Sequence, residues 1–177
     1  RFATAGTGQN AQSDTATVTV KTKVTSFVLT NSNSVTLEVG TTHQINTSIS
    51  PENASDKTIS WNTNSSSIAT VSSSGLITAQ GNGTTTITGT CDGIQVTVTV
   101  RVITSATAIQ ITDGDITVNK GTVRTLQTQI TPLTSSDTKS WTSDDATTVS
   151  VNPTSGEITA LKAGSATIHV TAGSVSD

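Results

Sequence analysis

The chain of 177 residues is poor in the residue types that carry chemistry. It has one cysteine, two histidines, two tryptophans, two phenylalanines and three prolines, with no tyrosine and no methionine. The lone Cys91 excludes an intramolecular disulfide, so this is not a small stapled scaffold. Nine basic against twelve acidic side chains give a net charge of −3, with no basic run, which argues against a nucleic-acid partner held through phosphates. No stretch reaches the roughly twenty consecutive apolar residues of a membrane span. No secretory leader is recognisable, and because the chain opens on Arg1 and not Met, a piece of a longer protein is expected.

What the chain has is hydroxyl. There are 40 threonines and 24 serines, over a third of the residues. Thr, Val and Ile are β-branched and fit a pleated, half-buried surface, so the composition is that of an all-β protein. Low charge, abundant Ser/Thr and almost no Cys are common among bacterial exported proteins. No 3.6-residue period of useful length is found.

The chain is also a repeat. At an offset of 81, Gly40 meets Gly121, Ile45 meets Leu126, Ile49 meets Ile130 and Pro51 meets Pro132. At 80, Trp61 meets Trp141 and Val71 meets Val151; at 81 again, Gly75 meets Gly156, Ile77 meets Ile158, Gly83 meets Gly164 and Ile87 meets Ile168. Drift confined to Ser/Asn/Asp-rich segments is what surface loops between fixed strands produce. A repeat this long is a domain repeat and not a solenoid unit.

Within each repeat the period is two. Val35, Leu37 and Val39 of "SVTLEV" share one face, and so do Val96, Val98, Val100 and Val102 of "QVTVTVRV", with Thr97, Thr99 and Arg101 opposite. This predicts antiparallel strands with one buried and one wet face. Leu76 is replaced by Glu157 while Ile77 is kept as Ile158, so the second position faces inward. The recurring glycines read as positive-φ or close-approach positions. Pro51 and Pro132 read as ladder stops after strands ending in Ile. "SSSGL", "TSGEI" and Asp92-Gly93 read as hairpin turns. Seven or eight short strands per repeat favour a two-sheet sandwich. In so thin an aliphatic core, Trp61 and Trp141 are expected to be central core side chains.

Candidate chemistry is sparse. His43 aligns with Arg124 and His169 with Thr88, polar swaps expected at exposed strand positions, and neither has the neighbours of a zinc site. No G-x-S-x-G elbow is found for a Ser–His–Asp triad. "CDGIQ", Cys91 to Gln95, is compatible with an internal thioester or with a plain hairpin. Asp113-Gly114-Asp115 and Asp144-Asp145 are compatible with part of a calcium site or with turns. Lys57 and Lys139, the lysines considered for isopeptide bonds, are expected in polar loops. The Gly81-Asn82-Gly83 segment reads as a turn and not a phosphate cradle. Asn46, Asn53, Asn64 and Asn82 stand in N-x-[ST] sequons, expected to be unused in a bacterial or phage protein. No catalytic, cofactor-binding or metal-binding residue is therefore assigned, and no cofactor is expected.

Val39-Gly40, Pro51, Trp61, Ile68-Ala69-Thr70-Val71, Gly75 to Ala79 and Gly83 to Ile87 follow an order that resembles the bacterial immunoglobulin-like domain, group 2. Gly121, Pro132, Trp141, Gly156 to Ala160 and Gly164 to Ile168 repeat it, departing at Thr148, where that pattern has Val or Ile. The resemblance runs from about Val24 onward. It implies tandem immunoglobulin-like β-sandwiches of about 80 residues, noncatalytic, as found in bacterial surface adhesins, as accessory modules of secreted enzymes and on phage capsid and tail proteins.

The expected domains are 1–24, the closing hairpin of a preceding Ig-like domain; 25–103, a complete Ig-like domain; and 104–177, an Ig-like domain lacking its last strand. "TATVTVKTKV" parallels "IQVTVTVRV", with Val18, Val20 and Val24 meeting Val96, Val98 and Val102. Either the chain is a slice of a longer array, or residues 16–24 of one copy pair with residues 166–172 of another. "KVTSFV" and "RVITSATAI" hold no Gly, no Pro and no Ser-rich linker, so consecutive units should form a semi-stiff rod.

The functional expectation is an extracellular structural or adhesive module on a bacterial cell surface, alternatively an Ig-like decoration of a virion surface. A carbohydrate- or wall-binding module of a secreted hydrolase is a further alternative, disfavoured because no exposed aromatic is expected for sugar stacking. Expected partners are neighbouring Ig-like domains of the same chain or another copy, and cell-surface glycans or host surface proteins; nucleic acid and membrane are not expected.

Overall fold

The computed structural model describes residues 16–177. All regular structure in it is strand, and the helix-free reading holds. The first repeat contains β1 (Ser26–Leu29), β2 (Ser34–Glu38), β3 (Thr42–Gln44), β4 (Thr47–Ser50), β5 (Ser60–Thr63), β6 (Ala69–Val71), β7 (Leu76–Ala79), β8 (Gly83–Cys91) and β9 (Ile94–Ile103). The second contains β10 (Ala108–Ile111), β11 (Val123–Thr125), β12 (Thr128–Thr131), β13 (Lys139–Ser143), β14 (Val149–Val151), β15 (Glu157–Ala160), β16 (Ile168–Ala172) and β17 (Val175–Ser176).

In the first repeat a four-stranded sheet, ordered β2-β9-β8-β5, faces a three-stranded sheet, β3-β7-β6, while β1 pairs β4. The core between them takes Leu37, Ile87, Val98, Val100 and Val102 from one sheet and Ala69, Ile77 and Ala79 from the other. Alternation along β9 is as read: Val98, Val100 and Val102 are buried while Thr97, Thr99 and Arg101 are exposed. Leu76 and Ile77 also divide as expected, as do Glu157 and Ile158. One pairing differs from the all-antiparallel expectation. β2 runs parallel to β9, Val35 opposite Val100 and Leu37 opposite Val102. The paired residues lie 65 positions apart in the chain, and no local signal reports the direction in which they meet. Val39 lies past the end of β2 and is exposed, so it does not join Val35 and Leu37 in the core.

The second repeat has the same plan, β13-β16-β17 facing β11-β15-β14, with β10 on β12. The hairpin turns fall where read. Asp92 and Gly93, φ 46° and 83°, connect β8 to β9 as a two-residue loop of the twist-matching kind. β4 and β12 run one residue past Ile49 and Ile130, to Ser50 and Thr131, and stop at the prolines. Departure at Thr148 leaves the loop path unchanged. Thr148 and Val149 donate to the Asp145 carbonyl as Ile68 and Ala69 donate to that of Ser65. Thr148 is buried, its hydroxyl bonded to the Asp145 carboxylate at 2.5 Å. The Ser65/Ile68 pair of one repeat thus becomes the Asp145/Thr148 pair of the other, and the buried hydroxyl brings its own acceptor.

The tryptophans are both core side chains, but not equally. Trp141 is 2% exposed among Val170, Ala172, Leu126 and Ile158. Trp61 is half-buried and joins two clusters, the central core and a cap of Val24, Phe27, Ala54 and Cys91. Its ring meets Phe27 edge-on, centroids 6.4 Å apart. The difference lies in the surroundings. A Cβ on Gly89 would stand 2.5 Å from the Trp61 ring, so β8 is bare where β16 carries Val170. Phe27 supplies bulk where the second repeat has Ile109. Large and small side chains have changed places with the total volume roughly kept, the exchange cores tolerate best.

Candidate functional site

The residues considered for chemistry are placed apart, and most are already engaged. Cys91 is 1% exposed, facing the core, while Gln95 faces solvent and donates to Thr90 Oγ1 at 3.4 Å. The two groups a thioester would join lie on opposite faces of the hairpin. Burial pushes the Cys91 thiol up, with the charges of Asp56 and Asp92 adding to it, which leaves it without thiolate character. His169 is exposed on β16 as expected. His43 is half-buried, a correction: its Nε2 meets Asn31 Nδ2 at 3.2 Å. Its counterpart Arg124 pairs with Asp113. His43–Asn31 and Arg124–Asp113 are the same contact in two chemistries, which explains a swap that looked like mere exposure. Lys57 does sit in a loop, donating to the Glu52 carbonyl at 2.9 Å. Lys139 instead begins β13 and reaches Thr128 Oγ1 at 3.0 Å.

Of the four carboxylates considered for calcium, Asp113, Asp144 and Asp145 are engaged by the protein itself, while Asp115 is exposed. Asp113 accepts from the Gln127 amide and from Arg124. Asp144 accepts from the Thr167 amide at 2.6 Å. Asp145 accepts from the hydroxyls and amides of Thr147 and Thr148. No group of three metal-ligating side chains occurs among the described residues. Among the described residues no helix is long and apolar enough to cross a membrane.

These bonds depress three carboxyls. Asp145 lies well below the carboxylate range, held there by the Thr147 hydroxyl first and the Thr148 hydroxyl second. Asp113 is lowered chiefly by the Gln127 amide and then by Arg124. Asp56 is lowered chiefly by the Thr58 amide. A carboxyl lowered in the folded state binds its proton more readily in the unfolded chain. Its contribution is therefore complete above the unfolded pKa and lost as pH falls through the folded one. The thermal midpoint is expected to hold above about pH 4 and fall below it, more shallowly in an Asp113→Asn/Asp145→Asn variant. Calorimetry as a function of pH checks this; a variant profile parallel to that of the parent would refute it.

The arrangement that does converge is the junction of the two repeats. Only Thr104–Thr107 separate β9 from β10. Asn82, in the Gly-Asn-Gly segment read as a plain turn, takes the Thr104 hydroxyl on its Oδ1 at 2.7 Å. Its Nδ2 donates to the Thr134 carbonyl of the second repeat. Glu38 holds Ser105 on the other flank, accepting its hydroxyl and, at 3.2 Å, its amide. Val39 and Gln80 face Thr134 across the same small recess. Beyond the junction, Ala106 donates its amide to Asp137 Oδ2 at 2.7 Å, which fixes the entry to β10. One signal could have found these residues. The second repeat has Ala163 and Asn119 where the first has Asn82 and Glu38, so the fold does not itself need the amide or the carboxylate.

By fold the chain is similar to domains 4 and 5 of the S-layer protein SbsC. That likeness has 18% identity and a TM-score of 0.38, and covers 68% of this chain and 73% of that one. It is similar to a C-terminal 282-residue fragment of intimin, solved with the intimin-binding domain of the translocated intimin receptor. Here identity is 13% and the TM-score 0.38, over 88% of this chain and 63% of that fragment. It is also similar to human protocadherin-24 EC1-2, at 15% identity and TM-score 0.36, over 86% and 87%. No curated protein matches the chain by sequence. The family model of the bacterial Ig-like domain (group 2) matches twice, at residues 23–102 and 105–177, and the chain belongs to that family as two tandem copies.

Proposed function

We propose that the chain is a noncatalytic structural and adhesive module, part of a tandem Ig-like array that acts as a semi-rigid stalk or contact unit of a bacterial cell-surface protein. In this reading residues 25–103 and residues 104–177 are two consecutive units of the array. The closing hairpin expected over residues 1–24 lies, before residue 16, outside the described residues, and residues 16–25 carry no strand. The observation that carries the reading is the junction. A four-residue connection, gripped on both flanks by Asn82 and Glu38, limits how far one sandwich can swing on the next. Polar interfaces between domains otherwise leave relative motion as the default. The module's work is spacing, with weak contacts to host surface proteins or glycans summed over many copies. The dispersed, self-satisfied polar side chains support the noncatalytic reading. The burial of Trp141 and the half-burial of Trp61 count against a sugar-stacking platform.

The test is a distance measurement between spin labels at Ser73→Cys and Thr154→Cys, exposed turn positions of the two units. The parent should give a narrow distribution. Asn82→Ala with Glu38→Ala should widen it about twofold, with each unit still folded. A parent distribution as broad as the variant's would remove the stalk reading.

A further inference from the structure

The Asn82 amide that clasps the two units has a reactive neighbour. It is followed by Gly83, and no other asparagine of the chain precedes a glycine. The carboxamide carbon of an asparagine and the main-chain nitrogen of the next residue are spaced for a five-membered ring, so attack of one on the other is intramolecular and entropically favoured. A side chain on the next residue hinders that attack, and glycine has none. Asparagine is for this reason among the thermally labile residues. Asn82 differs from a bare labile pair in two respects. It is exposed and stands directly before β8, where Gly83 opposite Val102 is the last rung of the β8–β9 ladder. Both ends of its amide are also spent on the junction: Oδ1 accepts the Thr104 hydroxyl at 2.7 Å, and Nδ2 donates to the Thr134 carbonyl. Ala163, at the same place in the second unit, also precedes a glycine but has no amide to lose.

We propose that Asn82 is a self-modification site, a one-way release for the junction between the two units. The Gly83 nitrogen attacks Cγ of Asn82. The N–Cγ bond forms, the Cγ–Nδ2 bond breaks, and ammonia leaves with the Gly83 amide proton. Water then opens the cyclic imide at one of its two carbonyls. The product is aspartate or, with the main chain rerouted through Cγ, isoaspartate. In either product a carboxylate that only accepts replaces the nitrogen that donated. The Thr104 hydroxyl still has an oxygen to donate to. The Thr134 carbonyl instead faces an oxygen without a proton, so the bond that ties the first unit to the second becomes a repulsion. The junction also gains a second negative charge beside that of Glu38 on its other flank. Isoaspartate adds one further chain atom between residues 82 and 83, at the entry to β8.

The clasp restrains this reaction. With Oδ1 and Nδ2 held by different partners, Cγ is not free to turn onto the Gly83 nitrogen, and Gly83 is itself paired with Val102. Ring closure therefore follows opening of the junction. Each swing that frees the side chain gives it a chance to cyclise, and once ammonia has left the original clasp does not re-form. The loss of ammonia rests on the clasp contacts and not on the stalk reading, so it is measured apart from the stiffness of the junction.

Peptide mapping by mass spectrometry tests the chemistry on the whole chain, incubated for weeks in mildly alkaline buffer. Acid should appear at Asn82 before any other asparagine, part of it as isoaspartate. Thr104→Val removes one of the two clasp bonds and keeps the branched shape. It should speed the appearance of acid about fivefold, the population change expected from one hydrogen bond. Asn82→Gln keeps an amide but needs a six-membered ring, and should show no acid at residue 82 over the same period. The structural consequence is read with the Ser73→Cys and Thr154→Cys spin labels. Asn82→Asp should give a wider distance distribution than the parent, with unchanged circular dichroism. No acid at Asn82, a rate unchanged by Thr104→Val, or an Asn82→Asp distribution no wider than that of the parent would each overturn the proposal. The stalk reading fails separately, on a parent distribution that is already broad.

Discussion

Replacing Trp141 with alanine is expected to destabilise the second unit by about 3–5 kcal/mol, enough to unfold much of it at ambient temperature. The side chain is 2% exposed, and the core around it is otherwise small: Val170, Ala172, Ala106, Leu126 and Ile158. No neighbour is long enough to collapse into the space, and β13 is held by β16 over its whole length, Trp141 opposite Val170. The cavity therefore stays, and its cost adds to the lost transfer energy. Trp61→Ala should cost less, because that ring is half-buried and Phe27 can settle toward the gap. Urea unfolding of each variant, followed by circular dichroism, gives the two values. Equal losses, or a loss at Trp141 below about 1 kcal/mol, would contradict the packing described here.

The second large effect is expected from a single methyl group. Gly156 has φ 73°, and a Cβ there would stand 2.5 Å from Cε2 of Trp141. Gly156→Ala thus combines a left-handed backbone, costing about 1–2 kcal/mol for an L-residue, with overpacking, costing about 1–3 kcal/mol. Gly121→Ala separates the two. Gly121 has φ 86° and nothing within 4 Å of the added carbon, so only the backbone cost applies. Gly156→Ala should lower the unfolding free energy by about 2–5 kcal/mol and Gly121→Ala by about 1–2 kcal/mol. Equal losses would show that the indole does not press on Gly156. The equivalent contact in the first unit is looser, 3.2 Å from Gly75 to the Trp61 ring, which makes Gly75→Ala intermediate. Shape rules here as much as hydrophobicity, since each indole lies flat against a turn that has room for no side chain.

Three side chains singled out in the sequence are engaged by the fold itself. Asp145 serves its own loop, Asp113 serves Arg124 and the Gln127 amide, and Cys91 serves the core. Each is consumed in holding a turn or filling a gap. The proposed spacing role rests instead on the bonds across the junction of the units.

The sequence by itself determined the local geometry. A period of two along β9 decides which valines go inward, because successive side chains of a strand point to opposite faces. Glycines at Gly75 and Gly156 mark left-handed turns, because other residues strain there. The double occurrence of Trp, Pro and Gly at one spacing established two copies of one sandwich. Only tertiary structure decided that β2 joins β9 in parallel, that Trp141 is sealed while Trp61 is half open, and that His43 and Arg124 have partners in Asn31 and Asp113. It alone turned Asn82 from a turn residue into a clasp. The reason is the range of the interaction. Side-chain alternation and φ preference act within a few residues and leave a periodic trace. Pairing direction, ring burial and cross-junction hydrogen bonds depend on groups up to tens of residues away, whose meeting no local pattern records.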